Sequence, residues 1–129
     1  MPSIYLKPFE ASDEPFLLGA IADFWQHHHQ TPSQAEIKAD IKAWSADGHQ
    51  LFIITEDTQP LGFIHMGERG GKASDWLEDI YVLPSHRGRG IASQAIAQIE
   101  KILQAQGLPS LYLEVVPRNE NALRLYHQL

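Results

Sequence analysis

The stretch LEDIYVLPSHRGRGIASQAI, residues 77–96, changes character half-way along. Its first part, with Trp76 before it, is rich in aliphatic and aromatic residues and reads as a strand over 76–83. From Ile91 onward the apolar residues fall at 91, 95, 96, 99, 102 and 103, the spacing of an amphipathic helix. Pro84 and the run HRGRG separate the two, so residues 86–92 stand at the mouth of a helix. There the first-turn N–H groups have no partner in the helix, and the aligned peptide dipoles add partial positive charge. Gly88 and Gly90 remove side chains where an anion would approach the backbone. Arg87 or Arg89 adds a cation. The run is not a P-loop, because no Gly-Lys-Ser/Thr follows. Nor is it the dinucleotide fingerprint, which needs a third glycine and the first strand of the chain. Taken alone, a plain turn with solvated arginines explains it equally well.

Working outward, residues 3–9 read as a first strand. Ser12 is placed as the N-cap of a helix that runs to about Gln26 and buries Leu17, Ile21, Phe24 and Trp25. A second helix, capped by Thr31 or Ser33, carries Ile37, Ile41 and Trp44 and stops at Asp47-Gly48. QLFIIT (50–55) and PLGFIHM (60–66) flank a short turn as a pair of strands. After the helix over 91–103, Gly107 and Pro109 end it and LYLEVV (111–116) is a strand. Ala122, Leu125, Tyr126 and Leu129 mark a last helix. The order β-α-α-β-β-β-α-β-α predicts an α+β, or mixed α/β, fold: one domain over residues 1–129.

Composition narrows the chemistry. With no cysteine among 129 residues, thiolate nucleophiles, disulfides and cysteine-held zinc are excluded, and a cytoplasmic location is expected. The start carries no signal-peptide pattern, and no apolar run is long enough to span a membrane. The net charge of −6 lies in residues 1–60, which hold nine acids and three bases, whereas 61–129 hold seven of each. That surface repels nucleic acid and favours a cationic small molecule or a basic segment as partner. His27, His28 and His29 are consecutive and cannot converge on one ion unaided, so no metal is expected. Trp25, Trp44 and Trp76 are assigned to core or pocket wall, and His86 to an exposed turn.

Two segments together, residues 77–96 and LYLEVVPRNENALRLYHQL (111–129), resemble the GNAT superfamily of acyl-CoA-dependent N-acetyltransferases. Arg87-Gly88-Arg89-Gly90-Ile91-Ala92 fits that family's Arg/Gln-x-x-Gly-x-Gly/Ala signature, and Asn119, Ala122 and Tyr126 fit its Asn-x-x-Ala-x-x-x-Tyr motif. The resemblance implies a mostly antiparallel sheet flanked by helices and acetyl-CoA as cosubstrate, with an amine acceptor. It implies that Arg87 through Ser93 hold the pyrophosphate, with Asn119 and Ala122 also on the cofactor side. Backbone groups of Ile80, Tyr81 and Val82 would hold the pantetheine arm and the acetyl carbonyl, on a strand that splays from its neighbour. Tyr126 would protonate the departing thiolate.

For the base, Leu77-Glu78-Asp79 resembles the diamine/polyamine acetyltransferase branch, in which the glutamate deprotonates the amine through water. Being adjacent on a strand, Glu78 and Asp79 are expected to point to opposite faces. Glu78 is then the base, Glu114 the alternative, and Asp79 an acid paired with an arginine or solvated at an edge. Arg118 and Asn121 stand where that branch has tryptophan and proline. The family usually continues past the equivalent of YHQL with two further strands; their absence leaves a sheet edge that a homodimer would cover. A non-catalytic acyl-CoA-binding module is the alternative to an enzyme.

Overall fold

QLFIIT and PLGFIHM are apolar almost throughout because the sheet they enter is covered on both faces. The structure is a computed structural model; it describes residues 4–27, 31–46, 49–67, 76–108 and 112–113. The strands are β1 (Ile4–Pro8), β2 (Gln50–Glu56), β3 (Gln59–Gly67), β4 (Trp76–Val82) and β5 (Tyr112–Leu113). They form one sheet in the order β1-β2-β3-β4-β5, with antiparallel neighbours except for β5, which runs parallel to β4. Three helices pack on it: α1 (Glu14–His27), α2 (Gln34–Trp44) and α3 (Ile91–Ala105). The helix expected over the last residues lies outside the described residues, as does the Asp47-Gly48 stop.

Alternation along the strands builds two apolar layers. Phe52, Ile54, Ile64, Met66 and Val82 meet Ile91, Ala95, Ile96, Ile99 and Leu103 of α3 on one face. Leu51, Ile53, Phe63 and Tyr81 meet Leu17 and Ile21 of α1 and Ile37, Ile41 and Trp44 of α2 on the other. Each buried aliphatic side chain contributes about 1.5–3 kcal/mol of transfer free energy. The sheet is thus the middle of a three-layer sandwich, and β4 is pinned between both layers.

The local signals hold with one correction. Ser33 caps α2: its Oγ accepts from Glu36 N–H at 3.2 Å, and Ser33 N–H donates to Glu36 Oε1 at 3.3 Å. Ser12 does not cap α1. It sits inside a 3₁₀ turn, Ala11–Asp13, whose entry is closed by Asp13, as Glu10 N–H donates to Asp13 Oδ2 at 2.9 Å. Lys7 Nζ holds the same carboxylate at 2.8 Å, so the acid answers to a tertiary cation as well as to a helix end. Trp44 is buried and Trp25 and Trp76 are half-buried. Among the described residues no helix is long and apolar enough to cross a membrane.

Candidate active site

The chain leaving β4 turns sharply into α3, and the turn is held by its own backbone. Leu83 N–H donates to Leu61 O at 2.8 Å, and a 3₁₀ turn over Pro84–His86 follows. Gly88 and Gly90 then take the left-handed conformation, with φ of 82° and 76°, which side-chain-bearing residues adopt only under strain. A Cβ at either glycine would meet nothing within 4 Å, so backbone conformation is what demands glycine here, and the space in front is open. Gly90 is the N-cap of α3 and no side chain caps the helix. The first intrahelical bond runs from Gln94 N–H to Gly90 O at 3.1 Å, so the N–H groups of Ile91, Ala92 and Ser93 precede the ladder.

Both arginines are used within the protein. Arg87 Nε donates to Val82 O at 2.8 Å, and its guanidinium lies 5.4 Å from the centre of the Tyr81 ring. Arg89 Nη2 bonds Glu56 Oε2 at 2.8 Å, and Nη1 donates to His86 Nδ1 at 2.9 Å. The pair ties the turn to β4 and to the β2 end, leaving the helix N–H groups as the principal open donors. His86 is half-buried and bonded rather than free in an exposed turn.

Below the turn, Tyr81 faces α1, where its hydroxyl donates a short hydrogen bond to Asp23 Oδ2. Burial, then the Asp23 hydrogen bond and charge, push the phenol up to about 12, against a smaller opposing effect of Arg87. The ring stacks with Phe63, centroids 5.7 Å apart. Tyr81 is thus a neutral, wedged side chain that fixes the backbone on which Ile80 and Val82 sit. Pairing between β4 and β5 is described at Trp76–Tyr112 and Leu77–Leu113, below Ile80–Val82.

At the lower end of β4 the strand alternation breaks. His65 pairs with Asp79 but Met66 pairs with Leu77, so Glu78 is the extra residue of a β-bulge. The expectation that Glu78 and Asp79 face opposite sides fails for this reason. Gly67 follows His65 by two residues on the same face, and a Cβ built there would lie 3.0 Å from Glu78 Cγ and 3.4 Å from His49 Nδ1. Glu78 therefore shares the α1/α2 face with His49, His65 and Asp79. Among the described residues the partner of Asp79 is a histidine and not an arginine: its Oδ2 accepts from His65 Nδ1–H at 2.9 Å, and its side chain is 20% exposed. His65, 4% exposed, is held between Trp44, with ring centroids 4.6 Å apart, and His49, whose Nδ1 lies 2.9 Å from His65 Nε2. Among the described residues no group of three or more His, Asp or Glu is arranged to hold a metal.

The sequence profile of the acetyltransferase (GNAT) family matches residues 14–129. The chain belongs to the GNAT acetyltransferase family. An acetyltransferase of Pectobacterium atrosepticum is 27% identical over 111 residues, covering 85% of this chain and 77% of that protein. The thialysine N-ε-acetyltransferase of Bos taurus is 41% identical over 54 residues, 42% of this chain and 32% of the other. Among solved structures, the AAC(6′)-Iy enzyme in complex with a CoA-containing bisubstrate analogue superposes with a TM-score of 0.79 at 24% identity, covering 98% of this chain and 88% of that one. A possible acetyltransferase from Clostridium difficile 630 gives 0.81 at 16% identity, covering 97% and 88%. At these identities the structural likeness speaks for the fold.

As a GNAT acetyltransferase this chain is an enzyme, and the structure places the sequence's candidates unevenly. Ile80, Tyr81, Val82 and the run from Arg87 to Ser93 lie on one continuous path, up β4 and over into α3. Glu78 stands at the lower end of that path. Asn119, Ala122, Tyr126 and Glu114, and the His28-His29 pair, lie outside the described residues. The histidine chain was not anticipated. Its only signal in the sequence is one polar residue, His65, in the otherwise apolar run PLGFIHM; a buried imidazole must find a partner.

Proposed function

We propose that the protein transfers an acetyl group from acetyl-CoA to the primary amine of a small cationic molecule, or of lysine, by direct attack in a ternary complex. The observation that carries this reading is the uncapped start of α3 behind two left-handed glycines, with both arginines engaged elsewhere. Such a turn offers converging N–H donors and a helix dipole to a pyrophosphate. Gly88 to Ser93 would hold that group, with Arg87 and Arg89 shaping the turn. Ile80 and Val82 would bind the pantetheine arm and the acetyl carbonyl through backbone groups, in the manner of an added strand.

The chemistry then follows in order. An amine at neutral pH is protonated and must lose a proton before its lone pair can attack, and Glu78 accepts that proton. The amine nitrogen bonds to the carbonyl carbon, and a backbone N–H near Val82 stabilises the oxyanion. The C–S bond breaks, and Tyr126 delivers a proton to the thiolate while the new amide gives one up. Acidic residues in the first half of the chain favour a cationic acceptor. Two relatives agree in kind: the bovine enzyme acts on thialysine, which carries an amine, and the AAC(6′)-Iy complex holds an acetylneamine group. The diamine/polyamine branch rests on Leu77-Glu78-Asp79 and is the narrower form of the proposal.

Thermal shift with coenzyme A, followed by free-thiol release with a panel of amines, tests the reading. A stabilised protein that releases thiol with a cationic amine is expected. No shift with coenzyme A overturns it, and a shift without thiol release reduces the protein to an acyl-CoA-binding module. Tyr126→Phe should slow release and leave coenzyme A binding intact; an unchanged rate removes Tyr126 from the mechanism.

A further inference from the structure

Acetylation of an ammonium group leaves one proton over. The amine enters as R–NH3⁺ and leaves as an amide N–H, giving up two protons; one ends on the coenzyme A sulfur and the other must reach solvent. Resting on the acetyl-transfer reading, we propose that His49, oriented by His65 and Asp79, is the outlet that takes this proton from Glu78 and releases it to a cleft beside β2. Nothing in the GNAT signature involves these three residues.

Hydrogen-bond direction fixes the roles. A carboxylate only accepts, so the 2.9 Å contact at Asp79 Oδ2 sets the hydrogen of His65 on Nδ1. His65 Nε2 is then a lone pair and accepts from His49 Nδ1–H at 2.9 Å. That leaves the exchangeable lone pair of His49 on Nε2, which meets no hydrogen-bond partner among the described residues. His49 also lines a cleft of about 490 Å³, together with Pro8, Phe9, Ser45, Gln50 and Gln106. On its other side Nδ1 and Cε1 lie 3.4 and 3.5 Å from the point where a Gly67 side chain would stand, and Glu78 Cγ lies 3.0 Å from the same point. The missing side chain of Gly67 leaves a gap that the imidazole and the acid both border.

The proton collected by Glu78 is relayed by water across the space left at Gly67 to His49 Nε2. The resulting imidazolium donates Nδ1–H to His65, and the Asp79 charge two bonds away offsets the new positive charge. Nε2–H then loses its proton to water in the cleft, and the chain is reset with no net change in its bonds. Asp79 satisfies only the Nδ1–H of His65, and His49 satisfies its Nε2. The second imidazole is also the member of the chain that reaches the cleft. Imidazole suits the task because it gains and loses a proton near neutral pH.

Turnover of acetyl-CoA with an accepted amine, read as thiol release, tests the assignment in the full chain. His49→Ala should lower kcat by roughly 100-fold, the lower end of the range for a lost proton-transfer group, with the KM for acetyl-CoA unchanged. Added imidazole should restore kcat in a saturable manner. Asp79→Asn should also lower kcat, because an amide NH2 facing His65 reverses the order of donors along the chain. An unchanged kcat in His49→Ala, or a loss that imidazole does not restore in a folded variant, overturns the proposal. If His49→Ala does not fold, histidine ¹⁵N spectra of the wild-type protein decide: neutral His49 carrying its hydrogen on Nδ1 supports the chain, and a hydrogen on Nε2 overturns it. If wild-type protein releases no thiol with any amine, the acetyl-transfer reading itself has failed, a result distinct from active wild type with an equally active His49→Ala.

Discussion

Gly62→Ala adds one methyl group at the point where β3 presses on the part of β4 proposed to bind the acyl group. A Cβ at Gly62 would stand 1.9 Å from Tyr81 O, 2.9 Å from Tyr81 C and 3.0 Å from Val82 Cα. All three atoms are backbone, so no rotamer relieves the clash. Restoring an ordinary carbon–oxygen contact of about 3.3 Å requires β4 to retreat by roughly 1.4 Å. Such a shift breaks ladder bonds near Gly62–Val82, including the 2.8 Å bond from Leu83 N–H to Leu61 O. Two lost bonds cost about 1 kcal/mol each, and the overpacked backbone adds about 1–3 kcal/mol. A loss of about 3–5 kcal/mol lowers Tm by roughly 11–18 °C for a domain of this size. Thermal unfolding by circular dichroism measures it, and coenzyme A affinity should fall in parallel because Tyr81 and Val82 move. Gly19→Ala is the control: it lies on the exposed side of α1 with nothing within 4 Å of a new Cβ. There the same substitution should stabilise by about 0.5–1 kcal/mol. A Gly62→Ala protein melting within about 2 °C of wild type, well inside the shift expected, would refute the steric reasoning.

Three further outcomes follow from the geometry. Gly90→Val, which forces a β-branched residue to a φ of 76°, should weaken coenzyme A binding more than Arg89→Ala, whose side chain is engaged with Glu56 and His86; titration calorimetry on both ranks them. Tyr81 holds its proton to about 12 when folded against 10.0 in the unfolded chain. Its contribution to stability is therefore complete below pH 10 and is lost as the pH rises from 10 to 12. Denaturant midpoints should fall across that window, less steeply in Tyr81→Phe. Ser33→Ala removes the α2 cap seen in the Glu36 N–H contact of 3.2 Å and should cost about 1 kcal/mol in urea unfolding.

Much of the turn between β4 and α3 is legible in the sequence, since it depends on neighbours in the chain. Gly88 and Gly90 mark a turn, Pro84 ends the strand, and the spacing from Ile91 to Leu103 demands a helix with one buried face; the left-handed conformation of both glycines came from the structure. The same holds for Ser33 and Glu36, three residues apart. Ser12 was misread because its competitor, Asp13, is held by Lys7, six residues away on β1. The assignment of Glu78 to the opposite face from Asp79 failed at a bulge, which depends on how Met66 and Leu77 pair and not on either acid's own neighbours.

What the sequence determined by itself is the turn ahead of α3 and the strand and helix it joins, because turn residues and apolar periodicity are local properties. Tertiary structure alone decided where the charges go. It turned Arg87 back onto Val82 and Tyr81 and sent Arg89 to Glu56. It also brought Asp79, His65 and His49 into one chain, although 14 and 16 residues separate the successive partners. A polar side chain buried in a sheet takes whichever partner the register of neighbouring strands presents, and that register is a property of the whole fold.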